Sequence, residues 1–403
     1  MNFETFSGAT SQILTSNGYK LSYNMLVNYR ICDTFSTEKR HLGLAGFYPG
    51  IYNMYQTTIN IFCVLIETGQ LIFTLAFVAV HWSNMIKLSE TLLFSMTQIA
   101  FLSKLFNYMI KKQNCVKIEL MLSDPLFTDI SADQRDIFNN NISSVNRVAY
   151  IYRILCFFAV LLYGLFPFLD TATEGKVYPI PCLFPFNPDN YYTPVYLAEI
   201  LSIAIGAWLN STIDIFFCIM ITVGKSQFEI LSNKIGETTH HIENHSLTEK
   251  LLKSCIKYHQ GLLRYNTLVE ITFSDGIFVQ FLCSVAVICL TGFQMLIIEI
   301  QSVQFFSLLV YFSCMMFQVA IYCWYGQLLM EKSDAVTSAC YEIDWHRAST
   351  KNQKMLITIK ERVKKPVIMR AFGFFELNLA TLMKILKSSY SYFAVLQHLY
   401  TNV

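Results

Sequence analysis

The chain has 403 residues, of which 54% are hydrophobic and 14% are charged, and its formal net charge at pH 7 is +2. An ordinary soluble domain carries about 25% charged residues, so this composition excludes an ordinary soluble protein. The apolar residues fall into runs of about 20 or more, the length that a helix needs to cross a bilayer. Six runs qualify: Thr57–Val80, Leu88–Ile110, Ala149–Leu169, Tyr196–Val223, Gly276–Ile298 and Phe305–Met330.

A seventh candidate span closes the chain at Ser388–Val403. Its residues would rise about 24 Å as a helix, slightly less than the roughly 30 Å of a hydrocarbon core. With this segment the sequence predicts an all-α membrane protein of seven transmembrane helices. Residues 57–330 would form the first six helices, and residues 388–403 the seventh.

The basic residues predict the orientation. Twenty-five of the 30 Lys and Arg residues lie in or at the edge of the amino-terminal segment and three alternate loops, against Lys87 and Lys176 in the opposite loops. Basic loops stay in the cytosol, so we expect a cytosolic amino terminus and an extracellular carboxyl terminus. The opening segment also lacks the features of a signal peptide, which predicts that residues 1–56 stay in the cytosol. A G-protein-coupled receptor has the reverse orientation.

Two long inner loops, residues 224–275 and 331–387, carry helical patterns. Apolar residues recur every three or four positions from Leu247 to Val269, and Ser246 with Glu249 forms a capping box, so the fifth helix is predicted to begin near Leu247. A second apolar stripe after Pro366 predicts another amphipathic helix. We expect these helices to build a cytosolic anchor domain, and a helix lying on the membrane surface is the alternative.

The closing segment has one polar side when it is placed on a helix. Lys384, Lys387, Ser388, Ser391, Val395, His398 and Asn402 fall within an arc of about 100°. A polar stripe on a spanning helix must face water or polar partners, so it predicts either a pore lining or contacts with neighbouring helices. In the pore interpretation, Val395 and Leu399 would form an apolar ring that closes the water path by dewetting.

The sequence shows few other candidate functional sites. The sequence has no paired catalytic carboxylates, phosphate-binding glycine loop or nucleophile elbow, so we predict no enzyme activity and no cofactor. His240, His241 and His245 lack the spacing of a metal site, and no metal is predicted. Glu67 and Asp214 are carboxylates within spans, and each is either functional or a structural hydrogen-bonding site.

The stretch AFGFFELNLATLMKILKSSYSYFAVLQHL resembles the carboxyl-terminal signature of insect odorant receptors, with Ser388 to Phe393 as its most specific part. The LGLAGFYP stretch before the first span extends the resemblance over nearly the whole chain. Leu382 departs from it, because the family often has phenylalanine there. The resemblance implies an odorant-gated, non-selective cation channel in the plasma membrane of olfactory neurons. It also implies a heterotetramer with the odorant co-receptor, a final helix that lines the pore, and a gate at Val395 and Leu399.

The resemblance further implies an odorant pocket in the outer halves of helices two, three, four and six, with helix five contributing. On this topology, nine residues are predicted to bind a volatile, mostly apolar ligand: Phe94, Gln98, Tyr163, Phe166, Tyr196, Glu199, Ile203, Phe306 and Tyr311. Each of the aromatic residues is also compatible with ordinary core packing. A gustatory-type receptor of the same fold, a metabotropic seven-helix receptor and a transporter around Glu67 are the alternatives. We expect membrane lipid around the spans and no nucleic-acid partner.

Overall fold

The structure is a computed structural model that describes residues 31–49, 54–169 and 178–401, with only the backbone for residues 166–169. The described chain is almost entirely helical. The helices are α1 (Ser36–Leu44), α2 (Met54–Val80), α3 (Met85–Leu122), α4 (Pro125–Thr128), α5 (Ala132–Leu169), α6 (Tyr192–Glu237), α7 (His245–Ile297), α8 (Val303–Tyr341), α9 (Thr350–Val363) and α10 (Leu379–Thr401). Two short strands, β1 (Arg370–Ala371) and β2 (Phe375–Glu376), pair antiparallel.

The described residues of each of the seven predicted spans lie on one long helix, apart from Ile298 at the end of the fifth: α2, α3, α5, α6, α7, α8 and α10. Five of them, α2, α5, α6, α7 and α8, are long and apolar enough to cross a membrane by themselves. The helices run beyond the apolar stretches. The 53 residues of α7 rise about 80 Å, far more than the roughly 30 Å of a bilayer core, so much of α7 lies outside the membrane.

Helix α7 begins at His245, two residues before the predicted start at Leu247. The predicted cap is wrong, however. The Asn244 side chain accepts a hydrogen bond from the Leu247 N–H at 3.2 Å, and Ser246 already lies inside the first turn. Asparagine is as good an N-cap as serine, and Asn244, which precedes Ser246 in the chain, caps this helix.

The helix predicted directly after Pro366 is not formed. Residues 370–376 are a β-hairpin instead, and Phe372 and Gly373 both have positive φ, which a right-handed helix does not allow. Ser274 on α7 holds the turn, because its hydroxyl accepts from the Phe372 N–H at 2.6 Å and donates to the Arg370 carbonyl at 3.1 Å. The apolar spacing in this segment reflects packing of its rings on α7, with the Phe278 ring 5.2 Å from that of Phe372.

Helix α10 therefore starts at Leu379, nine residues before the predicted Ser388. Its 23 residues rise about 34 Å, which is enough for a bilayer core. Leu377, between the hairpin and α10, lies very close to α8, and this contact fixes where α10 begins relative to α8. A Cβ at Gly326 would lie 2.2 Å from the Leu377 carbonyl oxygen, so only glycine fits there.

The core lies in the half of the bundle that contains α1, α4, α9 and the hairpin. Residues 211–224 of α6 are all buried, and α7 buries its predicted stripe from Cys255 to Val269. Helix α9 packs against α7 and α8 and buries Leu356, Ile359 and Val363. We call this half the packed half, and the other half, toward the amino-terminal end of α6, the cavity half.

Candidate ligand cavity and closing helix

A cavity of about 130 Å³ lies in the cavity half among α2, α3, α5, α6 and α8. Five of the predicted ligand-binding residues line it: Phe94, Gln98, Tyr163, Ile203 and Tyr311. Helix α7 supplies none of the lining residues that the structure describes, although the resemblance implied a contribution from the fifth span. Helix α2, which the topology argument omitted, supplies Glu67 and Gln70.

Three other predicted residues lie elsewhere. Tyr196 points to α5, where its hydroxyl donates to the Gly164 carbonyl. Glu199 is buried beside the loop before α6 and accepts from the Ile180 N–H at 3.4 Å. Phe306 is 52% exposed on the outside of α8. The side chain of Phe166 lies outside the described part of the structure.

Three aromatic rings form one wall of the cavity. The Phe94 and Tyr163 rings meet edge to face at 5.4 Å, and Tyr311 lies 6.2 Å from Phe94 and 6.1 Å from Tyr163. Edge-to-face contacts at these distances are favourable and hold the rings in fixed orientations. The Tyr311 hydroxyl is hydrogen-bonded to Thr97 on α3, which fixes it further. This wall can bind a small apolar or aromatic ligand by shape.

The opposite wall is polar and centres on Glu67. Its side chain is 2% exposed, and Gln98 Nε2 donates to Glu67 Oε2 and to the Glu67 carbonyl, both at 3.0 Å. The carboxylate lies directly against α6, since a Cβ at Gly206 would be only 3.1 Å from Glu67 Oε1. Sequence reasoning singled out Glu67 as an intramembrane carboxylate but did not place it in the pocket.

A second buried carboxylate, Asp214, lies directly beyond the cavity. Lys104 Nζ is 2.7 Å from Asp214 Oδ1, and Tyr322 donates to the same oxygen. Gln318 and Tyr152 donate to Oδ2 at 2.5 Å and 3.1 Å. Every carboxylate oxygen thus has a donor, and the ion pair is fully desolvated. This network ties α3, α5, α6 and α8 together, and Tyr152 from it also lines the cavity. The geometry gives Asp214 a structural role.

The loop that joins α5 and α6 lies beside the cavity. Ile180 lines the cavity, and Gln70 on α2 donates to Cys182 Sγ at 3.2 Å. The Leu183 N–H donates to the Phe73 carbonyl at 3.1 Å. These contacts attach the described part of the loop to α2 beside the cavity.

The closing helix α10 exposes the predicted gate residues in the single chain. Val395 is 56% and Leu399 50% exposed, and Ser391 and His398 on the same side are also exposed. Asn402 lies outside the described residues. The other side packs on α7, where Tyr400 meets Phe293 edge to face at 5.6 Å. A Cβ at Gly292 would lie 3.3 Å from Phe393, so these two helices approach closely. The polar stripe is therefore the side of α10 that faces away from its own subunit.

Comparisons with known proteins agree with this architecture. The profile of the family described as "7tm Odorant receptor" matches residues 84–390. The chain is 24% identical over 368 residues to Odorant receptor 85b of Drosophila melanogaster, covering 81% of this chain and 92% of that protein. It is also 24% identical over 341 residues to Odorant receptor Or1 of Anopheles gambiae, covering 77% and 81%.

Among solved structures, the insect olfactory receptor OR5 from Machilis hrabei in complex with eugenol superposes with a TM-score of 0.83. The match covers 92% of this chain and 98% of that one at 13% identity, and a likeness at this identity shows the fold alone. It confirms the predicted fold class, an all-helical membrane protein of seven transmembrane helices.

Proposed function

Because the chain belongs to the 7tm odorant receptor family, we propose that it is an odorant-gated, non-selective cation channel subunit. It binds a volatile ligand in the cavity beside Glu67 and opens a pore lined by α10. It works in a heterotetramer with odorant co-receptor subunits, in the plasma membrane of olfactory neurons. The observation that carries the proposal is that one bundle combines an aromatic-lined cavity with a helix, α10, whose described polar side is exposed.

The size and lining of the cavity support the ligand step. Its volume of about 130 Å³ is close to that of an engineered apolar cavity of about 150 Å³ that binds benzene, so the ligand is small. Aromatic residues dominate one wall and a few polar groups the other, which is typical of a site that binds by shape and a few hydrogen bonds.

The exposed side of α10 supports the pore step. Ser391, Val395, His398 and Leu399 share the side that points away from α7. In a symmetric assembly, one such face from each subunit encloses a central path. Val395 and Leu399 are the apolar members, and a ring of such side chains closes a narrow pore by expelling water.

Electrical recording on cells that express this chain with the co-receptor tests the proposal. We expect odorant-evoked currents within milliseconds and without added nucleotide. Currents that require a nucleotide or a G protein would instead support the metabotropic alternative, and saturable uptake without current would support a transporter.

Substitution of the gate provides a matched test. Val395→Ser makes the constriction polar, so we expect a higher current in the absence of odorant. Gln397→Ala is the control, because Gln397 is also exposed but lies about 200° around the helix from Val395. An equal basal current in both variants would contradict the pore assignment.

Cysteine scanning tests the water path directly. Cysteines introduced singly from Ser391 to Thr401 should react with water-soluble thiol reagents only on the side of Val395 while the channel conducts. The original cysteines that the structure describes are mostly buried. Uniform protection along α10 would exclude it as the pore lining. A tag on each terminus, read from outside intact cells, tests the proposed orientation.

A further inference from the structure

The polar wall of the cavity has hydrogen-bond acceptors without donors. Glu67 Oε1 is buried and has no hydrogen-bond partner, although Gln98 satisfies Oε2. One helical turn beyond Gly206, Asn210 also lines the cavity, and its Oδ1 is buried without a partner. Buried polar atoms in folded proteins almost always have partners, so two such acceptors on one cavity indicate a missing donor.

The described residues that line the cavity do not supply a compensating charge. None of the described residues that line the cavity is Lys, Arg or His. The ammonium of the buried Lys104 is already paired with Asp214 at 2.7 Å. Gly206 has no side chain, so it places only backbone beside the Glu67 carboxyl group. Among the described residues, Glu67 is thus a buried carboxyl group without a cationic partner, and a cation that binds beside it would stabilise its charged form.

The facing wall suits a cation as well as an apolar group. The rings of Phe94, Tyr163 and Tyr311 line the same cavity, and aromatic faces attract ammonium groups when water is excluded. The Tyr163 hydroxyl is buried and has no hydrogen-bond partner either. A ligand with a charged nitrogen at Glu67 and a short apolar part against the aromatic rings would contact both walls of the cavity.

We propose that the preferred ligand of this cavity is a small organic amine, bound as its ammonium ion. The ammonium donates to Glu67 Oε1 and Asn210 Oδ1, and the hydrocarbon part packs against Phe94, Tyr163 and Tyr311. This assignment rests on the proposed function. It specifies the ligand of the proposed receptor as a cationic hydrogen-bond donor of about the size of a substituted benzene. A neutral carbonyl odorant that accepts a hydrogen bond from a protonated Glu67 is the rival.

The test compares ligands of equal size and different charge. Benzylamine, benzyl alcohol and benzaldehyde are applied to cells that express this chain with the co-receptor. We expect benzylamine to evoke half-maximal current at a concentration at least tenfold below that of the other two. In Glu67→Gln we expect the benzylamine response to shift at least tenfold to higher concentration, while the benzyl alcohol response shifts less than threefold.

Two further variants control for the substitution. Glu67→Asp keeps the charge, so it should retain part of the preference for the amine. Glu270→Gln makes the same chemical change on α7, which supplies none of the described lining residues, and should leave the three responses unchanged. A preference for benzaldehyde, or an amine response that Glu67→Gln does not alter, would overturn the proposal.

Binding to the purified protein separates this inference from the channel proposal. Benzylamine should raise the thermal unfolding temperature of the wild type and not that of Glu67→Gln, whether or not current is recorded. Stabilisation without current would contradict the channel assignment and support the amine site. Current evoked by neutral odorants without stabilisation by the amine would support the channel and refute the amine site.

Discussion

The two halves of helix α6 differ sharply in how they are packed. Residues 211–224 are all buried, and Asp214 among them has a hydrogen-bond donor on every carboxylate oxygen. Between Leu197 and Asn210 the same helix is mostly half-exposed, and its Gly206 leaves space beside a carboxylate with an unpartnered oxygen. One half holds the bundle together, and the other leaves a cavity beside a carboxyl oxygen without a hydrogen-bond partner.

The comparison shows how to distinguish a structural buried charge from a functional one. Both carboxylates looked equivalent in the sequence, since each is an isolated acid in an apolar run. Their side-chain partners separate them: Asp214 has Lys104 and three neutral donors, whereas among the described side chains Glu67 has a hydrogen bond from Gln98 and no cation. Breaking the first should cost stability, and altering the second should change ligand response.

The largest effect is expected from Lys104→Met. It leaves the buried Asp214 carboxylate without its cation, and breaking a buried pair costs about 3–5 kcal/mol of the free energy of unfolding. Thermal unfolding in detergent measures the loss. Lys111→Met on the same helix is the control, because its pair with Asp275 at 2.7 Å is partly exposed and worth about 0–1 kcal/mol. Equal losses would show that the Asp214 network is not structural.

The next effect is expected from Gly224→Ala in the packed half. The new Cβ would lie 2.6 Å from Asn266 Oδ1, and overpacking of this kind costs about 1–3 kcal/mol. Gly236→Ala on the same helix meets no atom within 4 Å, so the better helix propensity of alanine should leave stability unchanged or slightly higher. Chemical or thermal unfolding of the two variants checks the difference, which would vanish if α6 were loosely packed.

A pH dependence of stability is expected from His259, which lies on α7 well before the predicted span. Burial, and secondarily the charge of Arg362, lowers the pKa of His259 to about 4 from the ordinary 6.5. The unfolded chain then binds more protons between these values, so stability is lost as pH falls below 6.5. The side chain is 7% exposed, and we expect a loss of about 1 kcal/mol between pH 7.5 and 5.5.

The measurement is the unfolding temperature of the purified protein at the two pH values. His259→Gln should flatten this dependence, and His346→Gln, at an exposed position, should not. A steeper dependence in His259→Gln would mean that His259 binds its proton more readily in the folded state, contrary to the expectation.

The smallest effect on the free energy of unfolding is expected from Gly206→Ala. The same substitution should clearly weaken the ligand-evoked current. Its Cβ would lie 3.1 Å from Glu67 Oε1, so the carboxylate end must shift into the cavity. The free energy of unfolding should stay within about 0.5 kcal/mol, while one extra methyl in the pocket should weaken the ligand response about tenfold. Dose–response currents measure this change. Gly69→Ala, where no atom lies within 4 Å of the new Cβ, should leave them unaltered.

The family resemblance and the predicted topology together place several residues that line the cavity, but they do not predict which side of each helix faces it. Topology put Phe94, Tyr163 and Tyr311 at the correct depth, and all three line the cavity. Tyr196 and Phe306 are at a similar depth but face α5 and the outside. The rotation of a nearly all-apolar helix leaves little trace in its sequence, because both lipid and protein neighbours select apolar side chains.

The seven-helix architecture was determined by the sequence itself, because long apolar runs must satisfy their backbone within helices in a bilayer. Only the tertiary structure decided the hairpin before α10, where Ser274 holds Phe372 in a conformation that its own sequence does not favour. It also decided the roles of Glu67 and Asp214. What separates them is the set of donors that other helices bring within about 3 Å, and pairings between distant positions are not encoded in any local pattern.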